Sequence, residues 1–362
     1  MGLVRLIHAW TGAVLALVLV VLGLTGSLLV LKEDWIRLTV PQARAEAATT
    51  PGALGAAVEV LEKARPGQIR TVAFAGPHLG VHKLYFRKAE TEGYAAADGR
   101  VLAEWTGVAR AEAFVFDLHH YLLAGERGMI VAGVVALAGA ALAITGLIVW
   151  FPAWRSFAGR MWPRTSRRRD LLSAHRDLGI VFAAPVFVFC LTGGAIIFHD
   201  ETKALLSAVF PHQAQEVFAP PPGVGDIDWP KALAAAQAAF PEGQLRMASF
   251  PAQPRDPISI RMKLPAEWHP NGRTVVKIDP ATSTVLEATS AQSLGTAVRI
   301  SNAIYPIHAA FVGGRLYDLA SFLSGLALAG MGGFGLWSFV VKPRKKRARA
   351  GDGLRPGPAE VH

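Results

Sequence analysis

The hydrophobic residues of this chain are concentrated in four long runs with very few charged positions. Each run reaches or exceeds the roughly 20 residues that an α-helix needs to cross the hydrocarbon core of a bilayer. The composition agrees, because 52% of the 362 residues are hydrophobic, a high share for a soluble protein. The pattern predicts four transmembrane helices, at residues 6–31, 129–154, 177–199 and 316–341.

Two long segments between these runs, 32–128 and 200–314, show the periodicities of water-soluble structure. Each contains one stretch with the periodicity of an α-helix, followed by three stretches in which hydrophobic and polar residues alternate, as is typical of β-strands. The last stretch of the first segment turns at Asp98-Gly99, which is a hairpin signal. We expect one small α+β module in each segment, at about 51–107 and 228–290.

The first and third predicted helices share a spaced pattern. The segment that begins at His8 follows the order H-x3-G-x12-T-G, and the segment that begins at His175 repeats it. The stretches DLHHYLLAGERG (117–128) and YPIHAAFVGGRL (305–316), which precede the second and fourth helices, also correspond. These matches predict a tandem duplication with parallel repeats. The predicted fold class is a membrane all-α four-helix bundle with two small α+β modules.

Arginine and lysine residues are concentrated on one side of the apolar runs. They fill the loop 155–176 and the tail 342–362, and short basic segments of this kind stay in the cytoplasm. The charge pattern therefore predicts a multi-pass protein of a bacterial inner membrane, with both termini cytoplasmic and both modules periplasmic. The net charge of +10 reflects this topology, so we expect the lipid bilayer, and no nucleic acid, as a partner.

A cleaved signal peptide is the alternative interpretation of the first run, with the residues ARA at 43–45 as its processing site. A signal peptide has an apolar core of about 7–15 residues, and this run is longer. Charged residues also separate the run from the ARA site. The pattern favours a membrane anchor.

The repeated histidines are the candidate chemistry. Under the predicted symmetry, His8 and His175 lie at equal depth near the cytoplasmic face, while His308 and either His119 or His120 lie near the periplasmic face. Two neutral imidazoles that face each other across a bundle are the usual ligands of a non-covalent, six-coordinate haem. Covalent attachment is excluded because the chain has one cysteine. We expect two b-type haems per chain.

The residues around these histidines do not decide whether His119 or His120 is the fourth ligand. Neighbouring residues on a helix point about 100° apart, so His119 and His120 cannot both face the bundle axis. Spacing from the glycines favours His119, and spacing from the arginines favours His120. The possible partners of the haem propionates are four arginines near the histidines, namely Arg5, Arg127, Arg176 and Arg315.

Other histidines have weaker interpretations. His199 stands beside Asp200 and Glu201, which could form a small metal site, although ordinary loop polarity explains the same residues. His82 and His269 have no counterpart in the other half of the chain, and we interpret them as loop residues.

The complete set of motifs resembles the PepSY-associated transmembrane family, which includes PiuB-like iron-regulated membrane proteins and inner-membrane ferric-siderophore reductases. In that family the first helix opens with a histidine and closes with Thr-Gly, as it does here from His8 to Gly26. The pattern LHxxLxxGxxG before the second helix is matched from Leu118 to Gly128, and it selects His119 over His120. The resemblance extends over about residues 3–343.

The resemblance implies PepSY modules outside the membrane, bis-histidine haem b in the bundle, and reduction of a periplasmic ferric chelate such as a ferric siderophore. No nucleotide-binding motif stands on the cytoplasmic side, so electrons would come from quinol or a cytoplasmic donor. One-electron transfer needs no catalytic side chain. The alternatives are a PepSY-bearing sensor or peptidase regulator without redox activity, and a permease for siderophore or haem.

Overall fold

Four helices occupy the positions of the apolar runs. In the computed structural model, which describes residues 2–76, 79–211 and 222–341, they are long and apolar enough to cross a membrane. The prediction of four membrane helices is confirmed, whereas the predicted cytoplasmic tail 342–362 lies outside the described residues. The described helices, in chain order, are α1 Gly2–Val30, α2 Lys32–Thr39, α3 Pro51–Ala64, α4 Ala111–Tyr121, α5 Gly125–Trp150, α6 Arg168–Ile197, α7 His199–Val209, α8 Trp229–Ala239, α9 Thr296–His308 and α10 Gly314–Val340.

The membrane helices extend beyond their apolar runs. The helix α6 begins at Arg168, well before the predicted start at residue 177, and α5 begins at Gly125 rather than at residue 129. Arginine is a good helix former, so the backbone hydrogen bonds continue into the basic segment that precedes the apolar run. Hydropathy marks the part of a helix that suits hydrocarbon and does not mark its ends.

The membrane helices α1, α5, α6 and α10 pack as a ring. In this ring α1 contacts α10 and α5, while α6 contacts α5 and α10, so α1 and α6 face each other across the centre. A Cβ atom added to Gly23 of α1 would lie 2.5 Å from the carbonyl oxygen of Gly325 on α10. Small residues at such crossings let membrane helices approach closely. The ring therefore brings residues of all four helices near its axis.

The two polar segments form one continuous antiparallel sheet of eight strands, in the order β4-β3-β2-β1-β5-β6-β7-β8. Its halves join where β1 pairs with β5, with Val72 opposite Ala248. Each segment contributes four strands because the last of its three predicted stretches is a hairpin, turning in the first segment at Gly99, whose φ is +86°. The strands are β1 Ile69–Ala73, β2 His82–Phe86, β3 Thr91–Ala95, β4 Val101–Thr106, β5 Gln244–Ser249, β6 Ile258–Lys263, β7 Thr274–Ile278 and β8 Val285–Thr289.

The two faces of the sheet have different partners. The helices α3 and α8 cover one face, where Leu54, Trp229 and Ile260 are fully buried in the main core. Tyr94 points from the opposite face and donates a hydrogen bond to the Glu112 carboxylate of α4 at 3.2 Å. This second face looks toward the helical bundle, because α2 follows directly on α1 and α4 leads into α5.

Of the two histidines that we interpret as loop residues, one lies in a strand, so that interpretation is wrong for His82. His82 is a fully buried residue of β2, and its Nδ1 accepts a hydrogen bond from the backbone N–H of Ala75 at 3.0 Å. His269 lies in a loop, as predicted, but only 7% of it is exposed. The alternation of apolar residues around His82 predicts the strand but does not reveal that its inward position holds a histidine satisfied by the backbone.

The residues His199, Asp200 and Glu201 form the first turn of α7. In the part of the chain that the structure describes, no group of three or more histidine, cysteine, aspartate or glutamate side chains could hold a metal ion. Acidic residues are favoured in the first turn of a helix, where they face the positive end of the helix dipole. Helix-end chemistry explains this acidic sequence.

Candidate functional site

The structure brings the four predicted histidines together in two pairs. The ring centroids of His8 and His175 are 6.2 Å apart, and those of His119 and His308 are also 6.2 Å apart. The planes of the rings make angles of 76° in the first pair and 38° in the second. We call His119 and His308 the sheet-side pair, since α4 and α9 connect the sheet to the membrane helices, and His8 and His175 the distal pair.

The distal pair is held by all four membrane helices. His8 lies on α1 and His175 on α6, so the two rings meet across the centre of the ring of helices. The Nδ1 atom of His8 is 3.0 Å from the hydroxyl oxygen of Thr145 on α5. The Nδ1 atom of His175 is 2.8 Å from the backbone carbonyl oxygen of Met331 on α10.

The sheet-side pair uses the opposite ends of α1 and α6. His119 and His308 lie on α4 and α9, the short helices that precede α5 and α10. Thr25 of α1 lies 2.9 Å from Nδ1 of His119, and Thr192 of α6 lies 3.1 Å from Nδ1 of His308. The carbonyl oxygen of Phe189 is a second acceptor for His308, at 3.1 Å. Each membrane helix that carries a distal histidine therefore supports a sheet-side histidine near its other end.

The hydrogen bonds fix the tautomer of all four imidazoles. The hydroxyl groups of Thr25, Thr145 and Thr192 donate to backbone carbonyl oxygens of the preceding turn, at 2.6, 2.9 and 2.7 Å. Since each hydroxyl proton is already used, the threonine oxygen must accept the Nδ1–H of its histidine. The carbonyl of Met331 can only accept. All four rings thus carry the proton on Nδ1 and keep a free lone pair on Nε2, the form in which histidine binds metals.

Glycines make room for the rings. A Cβ atom at Gly26 would lie 3.1 Å from Cε1 of His119, and one at Gly193 only 2.9 Å from Cε1 of His308. On the distal side, a Cβ at Gly146 would lie 3.3 Å from Cε1 of His8, and one at Gly335 would lie 3.5 Å from Nδ1 of His175. Three of the four imidazoles therefore lie against a Thr-Gly step, which supplies the hydrogen bond and the space together.

The separation within each pair matches one metal ion between two imidazoles. Imidazole nitrogen binds a metal such as zinc at about 2.0–2.1 Å, and the ring centroid lies about 1 Å behind that nitrogen. Two imidazoles that share one metal on a common axis have centroids about 6 Å apart on this basis. The observed 6.2 Å in both pairs agrees.

The remaining candidates lie beside these pairs rather than within them. His120 stacks on Tyr121 with a centroid separation of 4.5 Å, whereas His119 faces His308. Arg176 forms a salt bridge with the buried Asp177, at 2.7 Å. The other three predicted propionate partners, namely Arg5, Arg127 and Arg315, are exposed.

Sequence comparison of the two halves misses the supports of the distal pair. The Thr145-Gly146 step of α5 has no threonine at the matching point of α10, where Gly335 follows Phe334 and a backbone carbonyl replaces the hydroxyl. A search for Thr-Gly within every apolar run would find Thr145, because the step occurs at 11–12, 25–26, 145–146 and 192–193. Met331 contributes its backbone carbonyl oxygen, so the type of side chain at this position does not indicate the contact.

Comparison with curated proteins gives no significant match for this chain. A comparison with protein-family models matches residues 5–342 to the PepSY-associated TM region. The matched range includes all four membrane helices, the sheet and both histidine pairs. The chain therefore belongs to the family defined by the PepSY-associated transmembrane region.

Proposed function

We propose that this membrane protein binds two b-type haems and carries electrons across the bilayer to reduce a periplasmic ferric chelate, such as a ferric siderophore. The observation that carries the proposal is the presence of two histidine pairs at opposite ends of one bundle. In both, the centroid separation suits one metal ion, and Nδ1 is occupied so that Nε2 is the ligand.

Haem suits this donor set better than a bare metal ion. Each pair offers two neutral imidazoles, and a six-coordinate haem takes its other four ligands from the macrocycle. Zinc and copper sites in proteins need three or four protein ligands, which neither pair supplies. When bound, haem supplies reversible one-electron chemistry. His8 and His175 would hold one haem, and His119 and His308 the other.

The chain's own residues set the positions and the electronic character of these ligands. His8 and Thr25 on α1 are seventeen residues apart, as are His175 and Thr192 on α6. At 1.5 Å per residue, the two pairs are about 25 Å apart along the helices, close to the hydrocarbon thickness. The hydrogen bonds to Nδ1 orient each ring and raise its basicity toward iron.

The direction of transfer follows from the proposed topology. Basic segments at 155–176 and 342–362 favour a bacterial inner membrane with cytoplasmic termini, which places the distal pair near the cytoplasm and the sheet in the periplasm. Quinol or a cytoplasmic donor would supply electrons to the distal side. We also infer that the halves of the sheet, each with one helix and four strands, are two PepSY modules of a tandem duplication.

The product of the reaction explains iron release. A siderophore holds Fe(III) through hard, anionic oxygen ligands, and one added electron lowers the charge of the metal to Fe(II) and weakens those bonds. The released ferrous ion is then free for transport. The protein needs only to bring the chelate close to the sheet-side pair.

The test is quinol-driven reduction in proteoliposomes. Purified protein would receive a membrane-soluble quinol, with a ferric siderophore and a ferrous-trapping dye outside. We expect dye formation with the wild type and with the control His120→Ala, and background rates with His8→Ala and with His308→Ala. Background rates with the wild type would contradict the proposed activity.

A further inference from the structure

The second half of the sheet carries a group of cations on the face that looks toward the bundle. Arg261 of β6 pairs with Val275 of β7, and side chains alternate between faces along each strand. The next pair on this face lies two residues further along each strand, and it places Lys263 opposite Arg273. Like charges directly opposite each other destabilise a sheet, so this arrangement has a structural cost. We call the following four residues the basic cluster: Arg246, Arg261, Lys263 and Arg273.

The acids near the basic cluster are fewer than its cations, and one is occupied by the backbone. The Glu267 carboxylate accepts hydrogen bonds from the backbone N–H groups of Leu264 and Arg273 and from the Thr274 hydroxyl. Glu33 of α2 lies within electrostatic reach of Arg246. Two carboxylates against four cations leave an excess of positive charge.

The guanidinium of Arg273 has unused hydrogen-bonding capacity. Its Nε atom is buried and finds no partner among the described residues, although buried N–H groups almost always have one. Arg246, by contrast, donates through Nε to the carbonyl oxygen of Pro270 at 3.0 Å. An unpaired, buried donor within a group of cations is the arrangement expected of an anion-binding site.

His269 lies next to the basic cluster, and the charges of the cluster affect its pKa. Burial first, and then the neighbouring charges of Arg273, Arg261 and Lys263, lower the pKa of His269 to about 3. The imidazole is therefore neutral at neutral pH and contributes stacking rather than charge.

Aromatic side chains connect the basic cluster to the sheet-side pair. The ring of His269 stacks against Tyr305 of α9 at a centroid distance of 5.3 Å, and Tyr305 lies 5.9 Å from Phe311. Tyr305 precedes His308 by three residues, so both side chains lie on one face of the helix, about 5–6 Å apart at Cβ. Tyr305 and Phe311 are 38% and 41% exposed, which leaves the group open to a ligand.

From this geometry we propose that the basic cluster and Tyr305 bind an anionic ferric chelate beside the sheet-side pair. The inference rests on the proposed ferric-chelate reduction and adds its substrate class: chelates with net negative charge, such as tris-catecholates, in preference to neutral tris-hydroxamates. The guanidiniums pair with anionic oxygen ligands, and the aromatic rings pack on the ring systems of the chelate.

Equilibrium binding to purified protein in nanodiscs tests this preference, with two hexadentate ferric probes labelled with radioactive iron. One probe is a tris-catecholate anion and the other a neutral tris-hydroxamate. For Arg261→Gln/Arg273→Gln we expect affinity for the anion to fall at least about tenfold, because charged hydrogen bonds are lost. Affinity for the neutral chelate should change less than about twofold. The matched control is Arg255→Gln, which removes an exposed arginine from the loop between β5 and β6.

Binding is measured separately from haem content, so the two proposals fail separately. Selective binding of the anion by a protein without haem would support the site and sink the haem proposal. The proposed site would be overturned if the double variant lost affinity for both probes equally, or lost affinity for neither. The proposed site would also be overturned if only anionic phospholipid, and neither chelate, stabilised the wild-type protein. If the double variant does not fold, the wild type decides: anion affinity must fall steeply with salt, and neutral-chelate affinity must not.

Discussion

The sheet-side and distal histidine pairs have the same centroid separation of 6.2 Å but are built in different ways. In the distal pair, the membrane helices α1 and α6 supply the histidines, and α5 and α10 supply the hydrogen-bond acceptors. In the sheet-side pair, short helices outside the membrane spans supply the histidines, and α1 and α6 supply the acceptors. The helices α1 and α6 are therefore common to both sites.

The difference shows what a Thr-Gly step does in a membrane helix. The threonine donates to its own helix and accepts from the imidazole, while the glycine leaves room for the ring. One step positions a histidine without adding a charge to the hydrocarbon region, where charge is expensive. The distal pair needs one such step, since the carbonyl of Met331 replaces the other.

The largest expected effect separates the two sites completely. His119→Ala should remove the sheet-side haem and leave the distal one, and His8→Ala should do the reverse, because each substitution removes one of the two protein ligands of a single haem and leaves both ligands of the other. Haem per polypeptide, measured by the pyridine haemochrome assay, should fall to about half in each. His120→Ala, the matched control, should keep both haems. Loss of both haems from a well-folded His8→Ala protein would break the independence of the pairs.

A smaller effect concerns the space beside the rings. Gly193→Ala places a methyl group 2.9 Å from His308, whereas Gly335→Ala places one 3.5 Å from His175, an ordinary contact. We expect Gly193→Ala to lower occupancy of the sheet-side haem and Gly335→Ala to leave the distal haem unchanged. Absorbance of each haem resolved by redox titration gives the measurement, and equal behaviour of the two variants would refute the role assigned to Gly193.

The smallest effect compares a histidine whose Nδ1–H has one hydrogen-bond acceptor, His8, with a histidine that has two, His308. Thr145→Val removes the hydroxyl that accepts from His8, while Thr192→Val leaves the Phe189 carbonyl as an acceptor for His308. Loss of such a supporting contact typically weakens metal binding about 10–100-fold. We expect Thr145→Val to release its haem about tenfold faster to a haem-scavenging protein, and Thr192→Val to be close to wild type. Faster release from Thr192→Val than from Thr145→Val would reverse the comparison.

Much of the membrane part could be predicted from the sequence because hydropathy and spacing act over one helix. The four helices follow from uncharged runs, and the pairing of His8 with His175 from their identical spacing to Thr-Gly. Thr25 and Thr192 belong to the same pattern, but their contacts with His119 and His308 link residues that are 94 and 116 positions apart. Local periodicity carries no information about such contacts.

The sheet shows the same limit. Alternation predicts the strands and the Asp98-Gly99 turn, since both are local. The pairing of Val72 with Ala248, which joins the halves into one sheet, depends on the edges that the two segments leave open after folding. The buried position of His82 likewise depends on the backbone groups of Ala75 and Ala97 that surround it.

The central claim is that each histidine pair binds one haem, and the visible spectrum of the wild-type protein in detergent tests it most directly. We predict sharp b-type bands after reduction with dithionite, with two haems per polypeptide and low-spin, bis-histidine signatures in magnetic circular dichroism. A well-folded protein, produced with sufficient haem, that binds none would contradict the claim.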